Sequence, residues 1–354
     1  MSENTEELKN PMDTWVDMLQ KMAKGYENLS QIENVDVATA QKELVWQLDK
    51  VKMYHYKNDA EIKVKTPVLI SYALVNRQDM MDIQPDRSYI RNLLNLGLDI
   101  YMMDWGYPTQ ADKFLTLDDY IEMYLNDGVD FIRKSESIDK INLMGICQGG
   151  TFSVIYAALH PEKIKNLITL VTPVDFSKND GLLIRWSRDM NFDTIVDSQG
   201  TINGDFLNAG FSMLKPMMQA GKMMNLMNII DDKDKLMNYL RMEKWINDSP
   251  NQAGECYRRF MKELYQENKL AENKLIIEGK LVDLKNLNMP LLNIYASEDH
   301  LVPPSASIAL NDLVGSTDTE LYKFPGGHIG VFVGGRSQKE LAPAVESWLK
   351  SRDN

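Results

Sequence analysis

The chain of 354 residues carries 39 Lys and Arg against 51 Asp and Glu, a formal net charge of −12. Its 44% hydrophobic and 25% charged residues are those of a folded globular protein and exclude a disordered or low-complexity chain. The acidic balance argues against broad nucleic-acid binding, which needs a basic footprint, and against general adhesion to anionic lipid. At roughly 150 residues per domain, the length allows about two domains.

The opening residues, MSENTEE, have neither the basic nor the apolar region of a secretory signal, so none is expected. Residues 1–60 are expected to form an N-terminal helical segment. Within it Trp15, Leu19, Met22 and Tyr26 fall at i, i+4, i+7 and i+11 and make one apolar stripe. That stripe either packs on its own core or docks a partner. From Lys63 the character changes. The patterns predict strands over 67–75 and 98–105, with a helix over 87–96 between them that ends at Gly97. A helix over 116–134, a strand over 141–146, a helix over 149–159 stopped at His160-Pro161, and a strand over 166–171 follow. The run 67–75, the longest strongly apolar stretch, is far shorter than the ~20 residues that span a bilayer.

Residues 177–285 then read as helices and loops rich in Met, Asn and Asp. The alternation resumes with strands over 290–296 and 320–324 and closes in a helix over 337–350. Short apolar strands alternating with helices predict a parallel sheet of βαβ units. The expected organisation is an α/β core over 61–176 and 286–354, interrupted by a helical cap over 177–285. Such a cap would cover the carboxyl edge of the sheet, where ligands bind in open α/β folds.

The strand over 141–146 runs into Gly145-Ile146-Cys147-Gln148-Gly149-Gly150, a nucleophile elbow G-x-S-x-G with cysteine in place of serine. A nucleophile on a sharp strand-to-helix turn needs small neighbours, which Gly145 and Gly149 supply. The helix that follows aims free N–H groups and its positive end at the sulfur, favouring thiolate. The backbone N–H of Gln148 would point into an oxyanion hole, with a second donor from the loop after 67–75, either Val75 or Asn76 by position. A phosphate loop is excluded, because Thr151 stands where that motif requires lysine. A buried structural cysteine would carry the same local pattern; the order of the downstream residues favours the elbow.

Elbow folds place the acid and then the histidine after later strands. The strand over 290–296 runs into Ser297-Glu298-Asp299-His300, and the strand over 320–324 into Pro325-Gly326-Gly327-His328. Cys147, Asp299 and His328 therefore form the expected catalytic set on an α/β-hydrolase fold. Glu298 competes for the acid role, but the shorter Asp299 is more easily held rigid against an imidazole. His55 is expected outside the core, and His160 at a helix end, complementing its dipole. His300 either supports the acid or packs the loop. Cys256 reads as a spectator thiol, and two free thiols suit a reducing cytoplasm. No cofactor or metal is expected.

A cysteine at this position suits a substrate already activated as a thioester. Exchange of one thioester for another is nearly isoenergetic, and transfer to an alcohol then runs downhill. Met213, Met217, Met218, Met223, Met224 and Met227 crowd the cap region. They read either as irregular core filling or as an adaptable surface.

The elbow GICQGG, the stretches YALVNRQDMMDIQPDRS and DWGYPTQAD, and TLVTPVDF, NIYASEDHLVPP and FPGGHIG resemble the polyhydroxyalkanoate synthases. The resemblance runs from about residue 10 to residue 350, through RMEKWINDSPNQAGE in the cap. It implies polymerisation of (R)-3-hydroxyacyl-CoA, typically 3-hydroxybutyryl-CoA, with release of CoA and a cytoplasmic polyester granule as product. It puts the nucleophile on Cys147, the acid on Asp299 and the base on His328. Glutamine after the nucleophile and the lack of a long N-terminal domain resemble the class III catalytic subunits (PhaC type). Those work with a second, PhaE-type subunit, in a homodimer or hetero-oligomer; class IV chains are similarly short. A thioesterase or polyester depolymerase is the alternative on the same fold, for which serine would be the more natural nucleophile.

Overall fold

A computed structural model describes residues 11–178 and 180–353. Eight strands form one sheet: β1 (Lys42–Leu48), β2 (Val51–Tyr56), β3 (Val64–Ser71), β4 (Leu98–Asp104), β5 (Ile141–Ile146), β6 (Ile164–Leu170), β7 (Leu291–Ala296) and β8 (Thr319–Phe324). Their order across the sheet is β1-β2-β4-β3-β5-β6-β7-β8. From β4 to β8 every pairing is parallel, whereas β2 runs antiparallel to both β1 and β4.

The inner parallel strands β3, β5, β6 and β7 are mostly buried and apolar because both of their faces are covered, whereas the edge strand β8 is largely exposed. In β5 every residue is buried, and alternate side chains divide between two cores. Leu143 joins the core containing Phe152 and Phe260, while Met144 and Ile146 join the core containing Phe332 and Trp348.

Helix α1 (Pro11–Ser30) precedes the sheet, and α2 (Tyr89–Asn95), α3 (Asn126–Ser135) and α4 (Gln148–Leu159) connect its strands. Ser88 caps α2 by accepting from the Arg91 N–H at 3.0 Å. The helix expected over 116–134 is a π-helical stretch, Asp119–Leu125, that runs into α3. Between β6 and β7 come α5 (Leu182–Arg188), α6 (Phe192–Gln199), α7 (Gly204–Leu214), α8 (Pro216–Ile229), α9 (Lys233–Asn247) and α10 (Gly254–Arg259). The last long helix, α11, spans Gly335–Lys350. Among the described residues no helix is long and apolar enough to cross a membrane.

The expectation of helix through residues 1–60 is corrected by the hairpin β1–β2. Helix is present over Pro11–Ser30, but Lys42–Tyr56 extends the sheet. The physical signal was there: Val51, Met53 and Tyr56 are buried in a strand rich in Val and Tyr, and the two-residue turn Asp49–Lys50 has Asp49 at φ 51. Strand β3 ends at Ser71 rather than Val75, because Tyr72–Val75 bends over the turn after β5. These residues stay apolar or buried through contact with that turn.

His55 stays outside the two buried cores and His160 stands at a helix end, and the structure adds a carboxylate partner to each. His55 lies on β2, donating or accepting at 2.6 Å with Asp99 and stacking on Tyr101 with ring centroids 4.1 Å apart. His160 does stand at the end of α4, but its Nε2 is paired with Glu122 at 2.9 Å, so a specific carboxylate holds it.

Candidate active site

Cys147 occupies the single residue between β5 and α4, at φ 52 and ψ −123. A non-glycine side chain in that region is strained, and the surroundings must hold it there. They do so with backbone bonds: the Cys147 N–H donates to the Leu170 carbonyl at 2.9 Å, and the Cys147 carbonyl accepts from Gly150 at 2.9 Å and Thr151 at 3.2 Å. The glycines around it have no room for a side chain. A Cβ at Gly149 would strike the carbonyl oxygens of Tyr72 and Ser71, and one at Gly145 would strike Gly150 and Ser153.

Asp299 and His328 reach the same place from the loops after β7 and β8. The parallel register of those strands continues past their ends, with Ser297 donating to the Phe324 carbonyl at 2.8 Å and Glu298 to that of Gly326 at 2.9 Å. This pairing brings His328 Nδ1 to 2.6 Å from Asp299 Oδ2. The other carboxylate oxygen of Asp299 accepts the N–H groups of Leu301 and Val302, both at 2.9 Å. With both oxygens engaged and the residue 6% exposed, the carboxylate has one orientation. Glu298, one residue earlier, does not make this contact.

Cys147 is close enough to His328 to act on the charge of that imidazole. Burial alone would pull the His328 imidazole down, but Asp299 and Cys147 outweigh it and push its pKa up to about 10. The direction favours an imidazolium beside the sulfur at neutral pH. His300 takes no part in this contact. Burial lowers its pKa, with Lys215 acting in the same direction. Cys256 is wholly buried, and burial pushes its thiol far up, so it is neither exposed nor ionised.

The Gln148 N–H stands at the first position of α4, and the loop after β3 lies against it. The Gln148 side chain accepts the Leu74 N–H at 3.1 Å, so that amide is engaged and Val75 and Asn76 are the next ones along the loop. Asn76 sits at φ 56. Sequence reasoning passed over four residues that hold this loop. Trp105 donates from Nε1 to the Tyr72 carbonyl at 2.7 Å, and Arg77 grips Asp104 with two bonds of 2.6 and 2.8 Å. Trp245 donates from Nε1 to the Arg77 carbonyl at 2.6 Å. Burial raises the Asp104 carboxyl, but the Arg77 pair outweighs that and holds it below its ordinary range. Only a buried Arg-Asp pair in a long loop could have been guessed from composition; the pairing itself needs the fold. Among the described residues no group of three or more His, Cys, Asp or Glu is placed to hold a metal ion.

The sheet order agrees with comparisons to known proteins. Residues 66–335 match the alpha/beta hydrolase fold family. A monoglyceride lipase from Saccharomyces cerevisiae, solved with a substrate analogue, superposes with a TM-score of 0.55, covering 91% of this chain and 97% of its own; at 13% identity it shares the fold alone. The poly(3-hydroxyalkanoate) polymerase subunit PhaC of Allochromatium vinosum is 49% identical over 340 residues, covering 95% of this chain and 96% of the relative. That of Thiocystis violacea is 50% identical over the same span and shares. With half its residues shared along nearly its whole length, this chain belongs to the poly(3-hydroxyalkanoate) polymerase PhaC-subunit family, acyltransferase enzymes on the α/β-hydrolase fold.

Proposed function

We propose that this protein is the catalytic subunit of a polyhydroxyalkanoate synthase that polymerises (R)-3-hydroxyacyl-CoA, 3-hydroxybutyryl-CoA first among them, through a thioester on Cys147. The observation that carries the reading is a cysteine in the strained turn after β5, set against the His328–Asp299 pair. The Cys147 thiolate attacks the substrate carbonyl, the carbon–sulfur bond to CoA breaks, and CoA leaves as the thiol with the proton of the His328 imidazolium. Neutral His328 then takes the proton of a 3-hydroxyl. That oxygen attacks the Cys147 thioester, an ester forms, and the thiolate departs. Asp299 orients the imidazole and balances its charge. The backbone N–H groups of Gln148 and Val75 receive the developing oxyanion.

The region 177–285 serves in this reading as a cap that keeps water from the thioester, so that transfer outruns hydrolysis. The chain works with a second, non-catalytic subunit of the PhaE type, in a homodimer or hetero-oligomer, at a polyester granule in the cytoplasm. Gln148 after the nucleophile supports class III over classes I and II, with class IV the alternative.

Incubation with 3-hydroxybutyryl-CoA, alone and with a PhaE-type subunit, tests the reading. CoA release with insoluble polyester is expected. Release of CoA with only the free acid would replace the synthase by a thioesterase. Cys147→Ala is expected to abolish covalent acylation, and an acyl group found on Cys256 would overturn the assignment of the nucleophile.

A further inference from the structure

The loop after β3 is held from two sides, and its outer side is held by the inserted helices. The inner bonds come from the core: Gln148 to the Leu74 N–H and Trp105 to the Tyr72 carbonyl. Beyond Val75 the partners change. Asn76 donates from Nδ2 to the Ile246 carbonyl at 3.3 Å, and the Arg77 carbonyl accepts from Trp245 Nε1 at 2.6 Å. Trp245 and Ile246 lie in the last turn of α9. Asn208 of α7 donates to the same Ile246 carbonyl at 2.7 Å. The Arg77 guanidinium, clamped on Asp104, lies 4.7 Å from the ring centroid of Tyr107. The Tyr107 hydroxyl in turn donates to Asp248 Oδ1 at 2.7 Å, one residue past α9.

Two consecutive residues at one helix end, Trp245 and Ile246, together with Asp248 acting through Tyr107, thus tie down the two residues that follow Val75. Trp245 is 6% exposed, so its N–H has no water to compete for it, and losing the carbonyl would leave a buried donor unmatched. Asn76 sits at φ 56, a left-handed conformation that asparagine tolerates better than most residues, with its side chain bonded to Ile246. We propose that Trp245, with Arg77, is a positioning residue that latches the loop so that the Val75 N–H faces the carbonyl attacked by Cys147. Displacing the last turn of α9 withdraws that donor, which couples the inserted helices to the chemistry without either residue touching substrate. The inference rests on the reading of Cys147 as nucleophile given above.

Trp245→Phe removes one N–H and keeps most of the ring. With 3-hydroxybutyryl-CoA as substrate, kcat is expected to fall about ten- to a hundredfold, at or below the loss of an oxyanion donor outright. KM should stay within about twofold, since ground-state binding is not the term removed. Alkylation of Cys147 by iodoacetamide should proceed as in the unaltered enzyme, because Cys147, His328 and Asp299 are untouched. Tyr107→Phe frees Asp248 but leaves Trp245 in place, and should lower kcat in the same way but less. It carries the test if Trp245→Phe does not fold. An unchanged kcat overturns the latch. So does a fall in kcat matched by slower alkylation, which marks general damage to the site. An unaltered enzyme that releases no CoA defeats the nucleophile reading itself; turnover by both enzymes at one rate defeats only the latch.

Discussion

Cys147 and Cys256 are the same side chain in opposite surroundings. One is partly exposed at the start of a helix beside an imidazole; the other is wholly buried, and burial pushes its thiol far up. Iodoacetamide at pH 7 should therefore modify one thiol in the native protein and two after denaturation, as mass spectrometry would show. Native labelling of Cys256 would refute this. His328→Gln should slow labelling of Cys147 about tenfold or more, because the cation beside the sulfur is removed. The same contact makes stability depend on pH. The folded His328 titrates near 10, above the 6.5 of a free histidine. Its contribution is complete below pH 6.5 and disappears as pH rises towards 10. The difference in Tm between the unaltered protein and Asp299→Asn should shrink across that window; a constant difference would count against it.

At the scale of elements, the site is a junction of three strand ends, and backbone proximity is what restricts its residues. Gly149 shows the restriction most directly: a methyl there meets two carbonyl oxygens of the loop after β3, which cannot yield without moving Val75. Gly149→Ala should cost about 1–3 kcal/mol in urea unfolding, as overpacking does, and should abolish acylation as well. Gly221, in α8, has nothing within 4 Å of its would-be Cβ. Gly221→Ala should leave acylation alone and stabilise by up to about 1 kcal/mol, through helix propensity. If both substitutions shifted the urea midpoint alike, the contrast drawn between the two glycines would fail. The elbow, the parallel strands and the order of acid and histidine were legible in the sequence because each follows from a short local pattern. The hairpin β1–β2 was not, because one apolar helical stripe just before it suggested that the helix continued.

For the whole molecule, the net charge of −12 sits awkwardly with the anionic CoA thioester proposed as substrate. Local cations must then decide its approach, and Lys215 lies close enough to His300 to act on that imidazole. Over a Debye length of about 10 Å such a local field outweighs the distant acidic surface. Added salt should accordingly lower kcat/KM for the CoA substrate, and a rise would show that the overall negative field governs. The methionine cluster also acquires a description at this scale. Met213, Met217, Met224 and Met227 are exposed, which excludes core filling for those four within a single chain, while the side chains of Met218 and Met223 lie outside the described residues. Trp15, Leu19, Met22 and Tyr26 are exposed as well, although α1 is tied to the end of α8 by Asn28 donating to the Ile230 carbonyl at 3.1 Å.

By itself the sequence determined the alternation of strand and helix, the cysteine turn and the three residues proposed for catalysis. Those depend on periodicity, on glycines beside one side chain, and on chain order, which are properties of neighbours along the chain. Only the tertiary structure decided which strands meet and that the first hairpin completes the sheet. It alone decided that Trp245 and Arg77, separated by most of the insertion, share one hydrogen bond at the edge of the site. Pairings of that kind are chosen by register and packing across the fold, and no pattern within a single segment encodes them.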